Sequence, residues 1–342
     1  MKRLSLILAV AIHAAYAGTV VIPLTNHDNV LWYGNIAVGS PGNTFTVAFD
    51  TGSADLFLPG KGCSKNCNGH TAYDPNISST SSDLGKSFKL TFEEGEVVSG
   101  EEFTDTVSIG GLVAAHQTVG VAAEYPSSLG NDQFFADGIL GLAFESISTF
   151  GASPVMQSLI SQGQLDEPVF SFKLAASGSE LFMGGANSAL YTGDFTYTSL
   201  TQQGFWEVMV EKIEGKGQTI FSNIDAIIDT GTTLTVLPLN EAAQFYKVLG
   251  GTDASSTLGP GFYTFPCDSF PSVSFTFGGR SFPMSKATLD LGAVSQGSSD
   301  CVSSIIGRDT GVSYAIIGTS FLQNVYTSFD IGHSRIGFAQ LA

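Results

Sequence analysis

The chain has 342 residues, 14 Lys and Arg against 31 Asp and Glu, and 43% hydrophobic residues, enough to bury the cores of about two domains and to exclude a disordered chain. Its formal charge of −17 leaves no cationic excess to displace counterions, which excludes a nucleic-acid backbone as a partner. Charged residues make up only 13% while Gly reaches 40 and Phe 26, a mix that predicts a mostly β protein (an all-β fold with a few short helices).

In chain order, Lys2 and Arg3 precede an apolar run over 4–15 that closes with Ala15-Tyr16-Ala17 before Gly18, the pattern of a secretory signal. A membrane span needs about 20 apolar residues, so the run is too short for an anchor, and no later segment supplies one. Residues 1–17 are expected to be cleaved, leaving a secreted, extracellular and monomeric protein with no membrane partner. From Leu31 onward short β-rich runs such as Thr44-Phe45-Thr46-Val47-Ala48-Phe49 alternate with Gly, Asn and Ser turns. Cys63, Cys67, Cys267 and Cys301 suit an oxidising route, and local pairing joins Cys63 to Cys67 and Cys267 to Cys301. The sequence has no C-x-x-C and no nearby His pair to supply tetrahedral ligands, so neither a metal nor a cofactor is expected. Asn76-Ile77-Ser78 is an N-glycosylation sequon beside Pro75, in what reads as an exposed loop. His70 and His116 are expected on the surface or in loops. Ser153 is the predicted cap of a helix over 154–162 stopped by Gly163, and Asn240 that of a helix over 241–249 stopped by Gly250.

A repeat carries the functional signal. Phe49-Asp50-Thr51-Gly52-Ser53 returns as Ile228-Asp229-Thr230-Gly231-Thr232, each copy after an apolar strand, and Gly138-Ile139-Leu140-Gly141 is echoed by Ala315-Ile316-Ile317-Gly318. Two copies in the same order imply two similar lobes with one carboxylate apiece, expected at 18–190 and 191–342 with the break near Tyr191-Thr192-Gly193. Glycine permits the tight turn and a close approach of the two loops, and threonine can hydrogen-bond across. If the lobes meet about a pseudo-twofold axis, Asp50 and Asp229 face each other and share one proton, leaving one group as base and the other as acid. Such a pair hydrolyses an amide through an activated water. Asp309-Thr310-Gly311 follows no apolar strand and reads as a turn.

The chain resembles the pepsin-like aspartic endopeptidases of fungal secreted type over about 22–342. The resemblance rests on Ile22-Pro23-Leu24-Thr25-Asn26, Trp32-Tyr33-Gly34-Asn35-Ile36, Asp137-Gly138-Ile139-Leu140-Gly141-Leu142, and the closing Phe329-Asp330 with Arg335-Ile336-Gly337-Phe338-Ala339. It implies a bilobal fold with Asp50 and Asp229 catalytic, acting on extended polypeptides. Ser53 and Thr232 would bond the outer carboxylate oxygens, with Gly52 and Gly231 on the inner ones. The chain departs from the family at three points, the last two of which are linked. Cleavage after Ala17 would leave too few residues before Ile22 for the family's prosegment, so the activation step is not legible. The flap tyrosine and its tryptophan partner are replaced by Phe92 and Phe57. Losing both polar partners together strands no donor or acceptor, so the flap, with Gly95, is expected to be held by ring contact. Glu94 occupies the position where some fungal relatives carry an acidic residue and accept lysine before the scissile bond. A catalytically weak binding protein on the same fold is the alternative from another class.

Overall fold

The computed structural model describes residues 18–92, 95–309 and 314–342. The expected leader at 1–17, and Thr310 and Gly311 of the third Asp-Thr-Gly, lie outside them. The fold is mostly β, as composition requires. Leu31–Val38 buries Trp32, Gly34, Ile36 and Val38 in turn, the period-two burial of a strand with one face on a core. It pairs antiparallel with Asn43–Asp50, whose last four residues are also paired in parallel with Gly138–Gly141, Asp50 lying opposite Gly141.

The second half repeats this construction. Gln218–Ile228 pairs in parallel with Ala315–Ile317, setting Ile228 opposite Ile317. Parallel strands are covered on both faces, which explains why the approach to each Asp-Thr-Gly is a continuous apolar run. After each turn the chain returns beside the same strand: Leu56–Pro59 runs antiparallel to Gly138–Gly141, and Thr235–Pro238 antiparallel to Ala315–Ile317.

A further six-stranded sheet joins distant parts of the chain, in the order Val20–His27, Ser179–Met183, Val169–Lys173, Val325–Asp330, Arg335–Leu341 and Tyr191–Gln203. Tyr191, the expected boundary, opens a strand and lies opposite Leu341. Aromatic rings fill the space beneath this sheet. Phe170 stacks on Phe329 at 4.9 Å, and Trp206 meets Phe329 edge-on at 5.0 Å. Each such buried ring contributes about 1.5–3 kcal/mol, which gives the many phenylalanines their structural role.

Both disulfides form as expected, Cys63 to Cys67 and Cys267 to Cys301. The helix starts differ from expectation. The first helix is Val155–Ser161, with Pro154 in the cap position, and Ser153 donates its hydroxyl to Glu145 instead. The second is Leu239–Leu249, starting two residues earlier than an Asn240 cap implies, because Pro238 ends the preceding strand and its fixed φ suits a helix entry. Its stop is as expected: Gly250 adopts φ 73° and its N–H bonds Tyr246 O.

Candidate active site

The two Asp-Thr-Gly turns lie against one another, and threonine explains how. Thr51 Oγ1 donates to Ile228 O at 2.8 Å and accepts from Thr230 N at 2.9 Å; reciprocally, Thr230 Oγ1 donates to Phe49 O at 2.6 Å and accepts from Thr51 N at 3.0 Å. Each hydroxyl thus satisfies one N–H and one carbonyl across the pseudo-twofold axis, a pattern that only a hydroxyl of this length provides.

Glycine follows because nothing larger fits. A Cβ on Gly52 would sit 2.7 Å from both oxygens of Asp229, and one on Gly231 would sit closer still to Asp50 Oδ1. With hydrogen there instead, each backbone N–H reaches its own carboxylate: Gly52 N donates to Asp50 Oδ1 and Gly231 N to Asp229 Oδ1, each at 2.8 Å. The other oxygens are held by hydroxyls, Asp50 Oδ2 by Ser53 Oγ and Asp229 Oδ2 by Thr232 Oγ1 at 2.5 Å.

Backbone bonds fix the turns to the strands below. Leu142 N donates to Asp50 O at 2.7 Å and Ala143 N to Ser53 O at 2.8 Å; in the other half Asp229 N donates to Ile317 O at 3.0 Å and Thr319 N to Thr232 O at 2.8 Å. Gly141 and Gly318 are required here, since a Cβ would run into the backbone of Ala54 in one half and the carbonyls of Thr232 and Leu234 in the other. That contact is the physical content of the repeated apolar-apolar-Gly signal.

Asp229 is 8% exposed. Burial, and then the neighbouring Asp50 carboxylate, push its carboxyl above its ordinary value of 3.8, against the lowering effect of the Thr232 and Gly231 donors. The pair can therefore carry one proton under conditions in which isolated carboxylates are ionised, so that a proton donor and a proton acceptor stand side by side. That arrangement suits general acid–base attack by water on a carbonyl.

Ser82–Thr91 and Val97–Ile109 form a hairpin. Its tip is closed by Phe92 N donating to Glu96 O at 2.8 Å and Gly95 N donating to Phe92 O at 2.9 Å, with Gly95 at φ 76°. The Phe92 ring meets Phe57 edge-on at 6.2 Å. Phe57 is 2% exposed, and Tyr125 lies on it at 5.8 Å. The Tyr125 hydroxyl donates to Asp137 O at 2.8 Å, so the aromatic cluster leaves that phenol satisfied. Glu94 lies outside the described residues. His116 is exposed, whereas His70 is half-buried, its ring against Tyr125 and Nε2 2.9 Å from Leu129 O.

Three supports were not anticipated. Asp55, buried two residues past Ser53, accepts from Ser148 Oγ at 2.6 Å and Thr149 N at 2.7 Å; a lone charge between Ala54 and Leu56 is the signal for it. The flap residue Glu96 accepts a hydrogen bond from Ser128. Thr233, next after the second turn, donates to Val30 O at 3.0 Å and so adds a further bond between the halves. Neither of these last two has a sequence signature, because both depend on loops distant in the chain.

Residues 31–341 match the family model described as eukaryotic aspartyl protease. The chain is 40% identical over 316 residues to "Aspartic protease" of Phaffia rhodozyma, covering 91% of this chain and 76% of that protein. It is 34% identical over 336 residues to rhizopuspepsin of Rhizopus chinensis (95% and 82%), and 33% identical over 334 residues to pepsin A of Sus scrofa (94% and 84%). Among the described residues no helix is long and apolar enough to cross a membrane.

Proposed function

Because the chain belongs to the eukaryotic aspartyl protease family and is an aspartic-type acid endopeptidase acting on polypeptides, we propose that Asp50 and Asp229 are its catalytic pair. One carboxyl holds the shared proton and the other, ionised, takes a proton from water. The water oxygen then attacks the scissile carbonyl carbon while the protonated partner donates to the carbonyl oxygen. Collapse of the tetrahedral diol returns a proton to the leaving amine, and no covalent enzyme intermediate forms. Thr51 and Thr230 position the turns; Ser53, Thr232, Gly52 and Gly231 orient the carboxylates. The observation that carries this is the mutual locking of two Asp-Thr-Gly turns around a buried carboxyl with a raised affinity for its proton.

The substrate is an extended polypeptide with apolar side chains in the central pockets, covered by the flap that Phe57 and Phe92 support. The lobes are 18–190 and 191–342, sharing the sheet to which both contribute strands. Cleavage after Ala17 delivers a secreted monomer that engages neither nucleic acid nor membrane. The test is cleavage of a denatured protein in acid by the wild type, Asp50→Asn and Asp229→Asn, with and without a pepstatin-type transition-state mimic. Both variants are expected to fold and to lose turnover; appreciable turnover in either removes that residue from the pair. A wild type that binds the mimic but cleaves nothing would assign the weak binding protein instead.

A further inference from the structure

We propose that Asn76 carries an N-linked glycan, placed on a rigid outward turn of the first half of the chain. The sequence holds a single acceptor sequon, Asn76-Ile77-Ser78, and the fold turns its two polar residues in opposite directions. Pro75–Ile77 is a single 3₁₀ turn with no buried residue, opened by Asp74, which accepts from Asn76 N. Asn76 is exposed, and its side-chain Nδ2 has Asp74 Oδ1 as a partner, at 3.1 Å. Ile77 beside it is 59% exposed, an apolar side chain left in water on a protein that buries most of its isoleucines.

The hydroxyl of Ser78 points inward. It donates to Asp105 Oδ1 at 3.0 Å and accepts from Ser40 N at 2.9 Å. Asp105 is fully buried and is held further by Tyr73 and Thr80, each at 2.5 Å. Lys61 pins Asp74 from outside at 2.8 Å. Ser78, Lys61 and Asp74 thus fasten the turn while Asn76 stays exposed, and Nδ2, which loses one hydrogen to the glycan bond, keeps the other for Asp74 Oδ1. A neutral, bulky sugar on Asn76 would also cover Ile77.

The chemistry sets an order of events. The donor is a lipid-pyrophosphate-linked oligosaccharide: the Asn76 Nδ2–C1 bond forms, the C1–O bond to pyrophosphate breaks, and one amide proton leaves. Recognition of the sequon needs the Ser78 hydroxyl, which the folded turn commits to Asp105, so transfer precedes folding of this turn. The proposal rests on the secretory routing proposed above.

The test is secretion from a eukaryotic host, followed by mass spectrometry of the reduced tryptic peptide 66–86 with and without peptide N-glycosidase. Treatment is expected to convert Asn76 to Asp and to remove one glycan. Asn76→Gln should migrate as the treated wild type and keep its kcat/KM. Ser78→Ala should also lose the glycan but, unlike Asn76→Gln, lower Tm, because a donor to buried Asp105 is gone. Protein recovered from the medium with Gly18 at its N-terminus and Asn76 unmodified would overturn the glycan alone. Protein retained in the cytosol with 1–17 attached would overturn the routing and the glycan together.

Discussion

Thr51→Val replaces a hydroxyl by a methyl group of nearly the same size, and so isolates what the cross-axis hydrogen bonds contribute. Thr51 is fully buried, and its Oγ1 serves Ile228 O at 2.8 Å and Thr230 N at 2.9 Å. Valine leaves both groups without a partner and without water. A buried orphan costs about 1–3 kcal/mol, so the expected loss is about 2–6 kcal/mol, a large part of the roughly 5–15 kcal/mol that holds a domain folded. Thr230→Val should cost less, because Thr230 is half-buried where Thr51 is fully buried, and an orphaned group costs less the nearer it lies to solvent. Thr51→Ser keeps the hydroxyl and should stay near the wild type in activity. A displacement of about 1 Å at the reacting groups can cost about 10²-fold in rate, so kcat/KM of Thr51→Val should fall by that order even where the protein is still folded. Denaturant unfolding in acid measures the first quantity and peptide hydrolysis the second. If Thr51→Val loses under about 0.5 kcal/mol, within the range of a neutral surface change, with activity intact, the two threonines do not hold the turns together.

Asp229 has a raised proton affinity in the fold and an ordinary one of 3.8 when unfolded, so the folded state binds the extra proton. Stability is therefore greatest below the unfolded value and declines as pH rises towards the folded one. Asp55 and Glu102, both raised chiefly by burial, carry the same sign. Melting curves across acid to neutral pH should show this decline, shallower in Asp229→Asn, and identical slopes would contradict the assignment. Gly231→Ala places a methyl group on Asp50 Oδ1; it should reduce kcat/KM at least as severely as Thr51→Val and more than Gly52→Ala, and equal activity in wild type and variant would mean the carboxylate yields freely. Phe92→Tyr and Phe57→Trp meet across the 6.2 Å ring contact, so the double variant should depart from the sum of the singles in kcat/KM by a coupling of about 0.5–3 kcal/mol; additivity would show that the rings are not partners.

Chemistry written in short, repeated segments is legible without a structure. Asp50 and Asp229 stand out because strand, turn and glycine are local requirements met twice, and the disulfides because each closes a short stretch of one half. The glycines at 141 and 318 read as a signal, though the reason for them appears only when each is seen against the backbone of the opposing turn. The helices enter at Pro154 and Pro238 rather than at Ser153 and Asn240, because good capping residues lose to proline geometry and, for Ser153, to a carboxylate, Glu145, brought in by the fold. The six-stranded sheet could not be foreseen, since pairing of Val325–Asp330 with Val169–Lys173 depends on two segments whose patterns fit many partners equally well. The same holds at the site. A sequence supplies two aspartates far apart in the chain; burial of Asp229 against Asp50, at a distance set by two threonines and two glycines, is what makes them a pair. Proton affinity depends on solvent exclusion and on charges in space, and neither exists until the chain has folded.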